Sequence, residues 1–224
     1  MQIVLTAATP FEIAPTLQWI ENTFTRRESG AFELGSTSVF PLITGVGMTA
    51  TAWALGQFLA RNQPDLMLNA GIAGALDRSF QLGDVFNIAS ERFADLGVEQ
   101  ADGRFTDLFE LGLTAPGDTP FTDALLRNPA AGQSAFLPSA RGITVNKVHG
   151  SQASILAVRE KYPDAQVESM EGAAFFYACI SAGMPFLEIR SISNYVEPRN
   201  RDAWDLPLAI NNLNKTLKDL LESC

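Results

Sequence analysis

The stretch "DLMLNAGIAGAL", residues 65–76, decides the class of fold that this sequence predicts. Its first half is a mainly apolar run of strand length, typical of a strand that is buried inside a sheet. Its second half carries Gly71 and Gly74, which favour a tight turn or a ligand that approaches the backbone closely. We therefore expect a buried strand that runs into a glycine-rich turn, as in α/β proteins.

Strands and helices alternate on both sides of this stretch. Further β-prone runs lie at residues 2–8, 39–47, 83–90, 141–151 and 184–193. Helical spacing of apolar residues is found at 9–23, 48–62, 151–162, 172–180 and 208–223. The alternation predicts an α/β fold with a largely parallel or mixed sheet and helices on both faces. Residues 91–140 are the least regular, and without a repeat or linker we expect residues 1–224 to form one domain.

Composition excludes several classes of function. The 224 residues are 46% hydrophobic and carry a net charge of -9, which argues against a nucleic-acid or acidic-membrane partner. No apolar stretch approaches the roughly 20 residues that cross a bilayer, and the N-terminus does not resemble a signal peptide. Two cysteines and one histidine make a disulfide framework or a zinc site improbable. We expect a soluble, cytoplasmic protein without metal or cofactor.

Three glycine clusters follow predicted strands: "TGVG" (44–47), "NAGIAG" (69–74) and "MEGAA" (170–174). None matches a dinucleotide-binding fingerprint or a P-loop in the required context. A tight turn is the more common explanation of any one cluster. Three clusters at strand ends favour a shared ligand crevice instead.

Two glutamates are candidates for chemistry. Glu12 follows the first predicted strand, where a solvated carboxylate in the first turn of a helix is the common alternative. Glu171 immediately precedes a helix that is apolar all round and hence buried. A carboxylate at that place needs hydrogen bonds, either from free N–H groups as a helix cap or from hydroxyls of a ligand. The sequence favours neither of these two interpretations.

Polar residues near the last predicted strand have competing interpretations. Asn194 follows that strand and is either a turn former or a substrate-reading amide. Glu188 and Arg190 share one face of the strand, and a structural ion pair is the preferred interpretation. His149 is expected to be a loop or packing histidine more often than a catalytic base. Glu168 is expected at the surface or as a supporting partner.

Taken together, these stretches resemble the purine nucleoside phosphorylase and nucleosidase superfamily, and most closely its hydrolytic, methylthioadenosine/S-adenosylhomocysteine nucleosidase branch. The matching pieces are "QIVLTAATPFE", "TGVGMTATAWALG", "LMLNAGIAGALDRSFQLGDV" and "VESMEGAAFFYACISAGMPFLEIRSIS". The resemblance implies a mixed central sheet with a barrel-like portion, flanked by helices on both faces. It also implies an N-glycosidase that acts on a small nucleoside and forms a homodimer or higher homo-oligomer.

The resemblance also implies roles for individual residues. Glu12 is similar to the acid/base that activates the attacking water. Glu171 is similar to the carboxylate that holds the ribose 2′- and 3′-hydroxyls, with Met170 packing on the sugar. The wall of the base and ribose pocket is matched by Ile72, Ala73 and Gly74.

Asn194 departs from the adenosine-cleaving nucleosidases, which carry an aspartate there. In the superfamily, asparagine at this place goes with hypoxanthine or guanine nucleosides, and "RSISNYVEPRNRDAW" resembles the futalosine hydrolase branch. That branch removes hypoxanthine from futalosine on a route to menaquinone. Arg199 or Arg201 is a hypothetical partner for the carboxylate of the 5′ extension.

Other functions stay open at this point. The loops around Glu12 and Gly45 lack a basic residue that could bind phosphate, which favours water as the nucleophile. An adenosine-type nucleosidase and a purine nucleoside phosphorylase are the alternative enzymes. A nucleoside-binding sensor on the same fold is the alternative outside catalysis.

Overall fold

The computed structural model describes residues 1–130 and 137–224. The strands, in chain order, are β1 (Gln2–Ala7), β2 (Thr25–Arg26), β3 (Phe32–Leu34), β4 (Thr37–Ile43), β5 (Leu66–Ala75), β6 (Val85–Glu91), β7 (Gly97–Glu99), β8 (Phe105–Asp107), β9 (Leu126–Arg127), β10 (Ser139–Thr144), β11 (Val167–Ser169) and β12 (Phe186–Tyr195). The helices are α1 (Pro10–Thr23), α2 (Met48–Leu59), α3 (Gln152–Lys161), α4 (Gly172–Ser181) and α5 (Leu206–Glu222), with a short 3-10 helix at Arg201–Ala203.

The main sheet closes on itself to form a barrel. Its strand order is β11-β10-β6-β12-β5-β1-β4-β3-β2, and β11 pairs with β5 as well as with β10. The ring therefore consists of β5, β12, β6, β10 and β11. Neighbours in it run both ways, since β12 is parallel to β5 but antiparallel to β6. The expected mixed sheet with a barrel-like portion is confirmed.

The stretch at residues 65–76 differs from its prediction in one respect. The predicted turn at its glycines is wrong, because β5 continues through Gly71 and Gly74 to Ala75. The long strand β12 pairs with β5 along this whole length, up to the pair Tyr195–Ala75. Main-chain pairing with β12 thus holds the glycines in the strand, and their missing side chains leave room for the side chains of β12.

The five predicted helices are all present, on both faces of the sheet. Local sequence explains where α1 begins and where α4 ends. Thr9 and Glu12 form a capping box at the start of α1, with Pro10 in the first turn. The chain leaves α4 through Gly183, whose φ of +65° suits glycine. Helices α2 and α4 pack together, and α1 packs on α5, so that two apolar cores flank the sheet.

The described residues of the irregular region between β6 and β10 contain short elements only. Strands β7 and β8 form a separate two-stranded hairpin, and β9 pairs with the end of β6. None of the helices in the two described ranges is long and apolar enough to cross a membrane.

Candidate active site

The first turn of α1 places Glu12 inside the fold. One carboxylate oxygen, Oε2, accepts hydrogen bonds from the backbone N and the Oγ1 of Thr9, both at 3.0 Å. The other, Oε1, accepts from the backbone N of Ile72 in β5 at 3.3 Å. Glu12 is buried, with 9% of its surface exposed. It is therefore not the solvated carboxylate that was the common alternative for this position.

Glu171 lies at the N-terminus of α4 and makes a bond outside its own helix. Its Oε1 accepts from the backbone N of Gly47, just before α2, at 2.8 Å, and it forms no side-chain cap on α4. Burial raises the pKa of this carboxyl, while Arg190 and the Gly47 bond lower it. The side chain is thus available to contacts across the site and does not serve as a cap of α4.

The carboxylates of Glu12 and Glu171 converge on Arg190, which lies on β12 and is almost completely buried. A Cβ atom added at Gly71 would lie 2.8 Å from Nη1 of Arg190 and 3.0 Å from Oε1 of Glu12. The absent side chain therefore leaves room for both groups. Burial lowers the pKa of Arg190, but the surrounding carboxylates more than offset that effect and raise it. In order of influence they belong to Glu188, Glu171, Glu12 and Glu91.

Glu188 is the partner of Arg190 on the same strand, as the ion-pair interpretation predicted. Its Oε1 lies 3.1 Å from Nε of Arg190, and both side chains are buried. Arg190 also donates from Nη1 to Oδ1 of Asn69 at 2.5 Å. Burial raises the pKa of Glu188 to about 7, although Arg190 lowers it and Glu171 raises it. The ion pair is structural and also lies against the carboxylates of the site.

Glu91, at the end of β6, is a fourth buried carboxylate in the barrel. Its Oε2 accepts from Oγ1 of Thr144 at 2.8 Å, and that hydroxyl in turn accepts from the backbone N of Ala173 at 2.7 Å. Burial and the neighbouring Glu188 raise the pKa of Glu91 well above its usual range. A neutral Glu91 fits a cluster in which carboxyl groups outnumber the one guanidinium.

Asn194 is the second-to-last residue of β12, which ends at Tyr195. A bulge between Ile192 and Asn194 brings it opposite Gly74. Its Oδ1 accepts from Oγ of Ser193 at 2.8 Å, and its Nδ2 donates to the carbonyl of Tyr195 at 3.0 Å. A Cβ atom at Gly74 would lie 3.1 Å from that Nδ2. The amide thus lies over the glycine.

Asn194 lines a small polar cavity of about 50 Å³. The same cavity is lined by Gly74, His149, Glu168 and Arg199. Asn194 therefore faces a cavity. That Arg199 binds a 5′ extension stays a prediction.

Strand β5 connects the two groups of side chains. The backbone of Ile72 contacts Glu12, the carbonyl of Ala73 accepts from Ser193 at 3.3 Å, and Gly74 lies beneath Asn194. Two residues along a strand span about 7 Å. The three residues predicted as a pocket wall thus lie between the buried carboxylates and the amide. Met170 is half-buried directly before Glu171.

Sequence reasoning missed how closely Arg190, Glu188 and Glu91 approach the site. The available signal was a pair of opposite charges, two residues apart, in the otherwise apolar strand β12. It also missed the depth of Glu168, which is 4% exposed and bonded to His149, so the surface alternative for Glu168 is wrong. In the described ranges no group of acidic, histidine and cysteine side chains could hold a metal ion.

A larger cavity than the one beside Asn194 has a different character. It is an apolar groove of about 910 Å³ between α2 and α4, and it contains none of the buried carboxylates. Residues from both helices and from the region after β6 line it, among them Met48, Phe93, Phe121 and Tyr177.

Comparison with known proteins agrees with the fold. The methylthioadenosine/S-adenosylhomocysteine nucleosidase of Neisseria meningitidis superposes with a TM-score of 0.79 at 21% identity, over 100% of this chain and 99% of that one. The futalosine hydrolase of Helicobacter pylori superposes with a TM-score of 0.77 at 17% identity, over 100% and 98%. At such identities the likeness shows the fold alone.

Sequence similarity gives the family. The phosphorylase superfamily model matches residues 2–223. The chain is 37% identical to the futalosine hydrolase of Acidothermus cellulolyticus over 77% of this chain and 70% of that protein. It is 30% identical to the futalosine hydrolase of Thermus thermophilus over 84% and 83%. The chain belongs to the phosphorylase superfamily and, within it, to the futalosine hydrolase family.

Proposed function

We propose that this chain hydrolyses the N-glycosidic bond of futalosine and releases hypoxanthine and dehypoxanthinylfutalosine, a step on a route to menaquinone. One observation carries the proposal. Glu12 and Glu171, from two different helices, converge on Arg190, and Asn194 of β12 lies opposite Gly74 of β5, two residues beyond the Ile72 backbone that Glu12 binds. The names of the curated relatives support the choice of nucleoside.

The reaction follows from these positions. Glu12 accepts a proton from water, whose oxygen attacks C1′ of the ribose while the bond from C1′ to N9 of the purine breaks. The bonding electrons leave with hypoxanthine, and the amide of Asn194 donates to N7 to stabilise the departing base. The hypoxanthine anion then acquires a proton, which balances the one that Glu12 took.

Glu171 has a positioning task in this scheme. Its carboxylate accepts hydrogen bonds from the ribose 2′- and 3′-hydroxyls, with Met170 packing on the sugar, and so fixes the orientation of C1′. Gly47 N holds one oxygen of Glu171 in place at 2.8 Å. In this proposal the wall of the base and ribose pocket is formed by Ile72, Ala73 and Gly74.

Electrostatics favours water over phosphate as the nucleophile. The one guanidinium beside Glu12 is already surrounded by four carboxylates, which raise its pKa. An incoming phosphate would meet these carboxylates and not a free cation, and like charges at short range in a buried site repel strongly. Water, which is neutral, is not excluded in this way.

The protein acts as a cytoplasmic homodimer of single-domain chains. The apolar groove between α2 and α4 supports the dimer, because an exposed apolar patch of this kind often marks an interface. On α2 the side chain of Trp53 is 69% exposed, and Tyr177 of α4 is 44% exposed. A second copy that packs on this face would cover both.

A panel of nucleosides tests the function. The purified protein is incubated with futalosine, inosine and methylthioadenosine, each with and without phosphate, and the free base is identified. We expect hypoxanthine from futalosine without phosphate. Strict dependence on phosphate would contradict hydrolysis, faster release of adenine from methylthioadenosine would contradict the substrate, and binding without cleavage would indicate a sensor.

A further inference from the structure

A histidine and a buried glutamate form a pair on the cavity that Asn194 lines. Both carboxylate oxygens of Glu168 bind His149: Oε1 accepts from its backbone N at 3.0 Å, and Oε2 contacts its ring nitrogen Nδ1. The Glu168 side chain is 3% exposed and that of His149 is 18% exposed. Because one carboxylate holds both the backbone and the ring, the direction of the imidazole is fixed.

Strand register places this pair beside Asn194. Glu168 of β11 and Asn194 of β12 are both paired with Gly74 of β5, one on each side. Directly paired residues project to the same face of a sheet. Since Gly74 has no side chain, the space above it is shared by the amide and the buried pair, and all four residues line the small cavity.

Nothing in the hydrolytic scheme uses this pair, yet its bonding favours a ligand contact. A bond to the backbone N of His149 would be enough to hold the loop after β10. In the neutral tautomer that donates from Nδ1 to this carboxylate, Nε2 carries a lone pair and is the ring atom available to a ligand. A fixed acceptor next to an amide is suited to reading the edge of a base.

We propose that His149, oriented by Glu168, accepts a hydrogen bond from N1–H of the purine and selects 6-oxopurines over 6-aminopurines. This inference rests on the proposed function. A 6-oxopurine presents N1–H as a donor, whereas N1 of adenine carries a lone pair that would face the lone pair of Nε2. A site built around such a bond rejects the base that cannot form it. Asn194 then reads N7, and His149 reads N1–H on the other side of the 6-oxo group.

Two variants test the pair on futalosine and its 6-amino counterpart. We expect His149→Ala to lower kcat/KM for futalosine by about 10- to 100-fold, the loss of one buried hydrogen bond, and to change that for the 6-amino nucleoside little. His149→Gln, whose amide oxygen can accept from N1–H, should retain more activity than the alanine variant. An equal loss with both nucleosides would overturn the proposal.

Glu168→Gln gives a sharper result, because it changes which nitrogen of the His149 ring carries the proton. A glutamine amide donates to Nδ1, which moves the ring proton to Nε2 and turns the acceptor into a donor. We therefore expect this variant to shift preference toward the 6-amino nucleoside. If Glu168→Gln lost activity but kept the same preference for the 6-oxo over the 6-amino nucleoside, the His149–Glu168 pair would have a structural role only.

Asp95→Asn is the matched control. Asp95 binds the backbone N of Asn146 in the same loop at 2.6 Å but does not line the cavity. If it reproduced the effects of the His149 variants, loop stability would explain them and the proposal would be wrong. Binding of free hypoxanthine and adenine, measured by calorimetry, separates this proposal from the proposed function. If futalosine is not cleaved, loss of hypoxanthine preference in His149→Ala still supports the pair, and no preference in the unmodified protein overturns it.

Discussion

The inside of the barrel and the groove between α2 and α4 are opposite in character. Within the barrel, Arg190 is almost completely buried and is surrounded by carboxylates from α1, β6, β12 and the start of α4. The groove has a volume of about 910 Å³ and is apolar, with Met48 and Phe93 among its lining residues. The barrel thus buries charged side chains, whereas the groove leaves apolar side chains exposed to solvent.

The difference indicates where each region loses stability. In the described part of the chain, several buried atoms of the barrel cluster form no hydrogen bond: Oε2 of Glu188, Oε1 of Glu91 and Nη2 of Arg190, while Oε1 of Glu188 and Nε of Arg190 have only their ion pair at 3.1 Å. Such atoms cost free energy when removed from water. The groove instead leaves apolar surface in water, which a second subunit can relieve. The buried polar atoms of the barrel are explained by the reaction, and the exposed apolar surface of the groove is explained by assembly.

The largest effect is expected from Glu12→Gln. An amide cannot take the proton of water, so kcat should fall by about 10³-fold while KM stays nearly unchanged. Hypoxanthine release from futalosine measures both. Glu21→Gln removes an exposed carboxylate from the same helix and should leave kcat unaltered. If Glu12→Gln turned over futalosine as fast as the unmodified protein, the carboxylate of Glu12 would have no role in the reaction.

The buried cluster also predicts a pH dependence of stability. The pKa of Glu188 is raised by burial from an ordinary 4.5 to about 7, so the folded chain holds this proton more tightly than the unfolded chain. The contribution of Glu188 to the free energy of unfolding should therefore be greatest below about pH 4.5 and fall as the pH rises through 7, by about 3 kcal/mol.

Glu188→Gln tests this dependence by removing the titrating group. The fall between these pH values should become smaller, although Glu91 keeps a part of it because its pKa is raised in the same direction. Urea unfolding at several pH values provides the free energies. The exposed Glu160→Gln serves as the control. An unchanged slope in Glu188→Gln would show that Glu188 stays ionised.

Asn194→Asp is expected to have a smaller effect on catalysis than Glu12→Gln. The carboxylate loses the N–H donor for N7 and repels the carbonyl of Tyr195, which the amide binds at 3.0 Å. We expect kcat/KM for futalosine to decrease by about 100-fold. Steady-state rates of hypoxanthine release measure it, with the exposed Asn211→Asp as the control. Unchanged turnover would contradict the base-reading role of Asn194.

Local patterns were sufficient to predict the elements of the fold. Alternating strands and helices, the capping residues of α1 and the apolar helix after Glu171 all depend on neighbours within a few positions. They led to the mixed sheet and to both candidate glutamates. The continuation of β5 through Gly71 was not predictable in this way, because it depends on pairing with β12, more than a hundred residues later.

The charged interior of the barrel was beyond local patterns for the same reason. Closure relies on three-residue β11, which pairs with β10 and β5 and is too short to show a period. Glu91 falls at the edge of the region that the sequence presented as irregular. His149 and Glu168 are separated by a helix, and no spacing rule connects them. Each of these contacts exists only after the ring of strands has closed.

A charge placed in the apolar groove should have the smallest effect on the rate of hydrolysis, and it tests whether the groove is a dimer interface. Ala52 of α2 is exposed and lines the groove, so Ala52→Glu would put a carboxylate into the proposed dimer interface, where it would be desolvated without a partner. We expect the sedimentation coefficient to change from that of a dimer to that of a monomer, with the unfolding temperature of the isolated chain little altered. Gln57→Glu adds the same charge to an exposed position of α2 outside the groove lining and should stay dimeric. If both variants sediment as the unmodified protein does, this groove is not where copies of the chain meet, and its apolar lining needs another occupant.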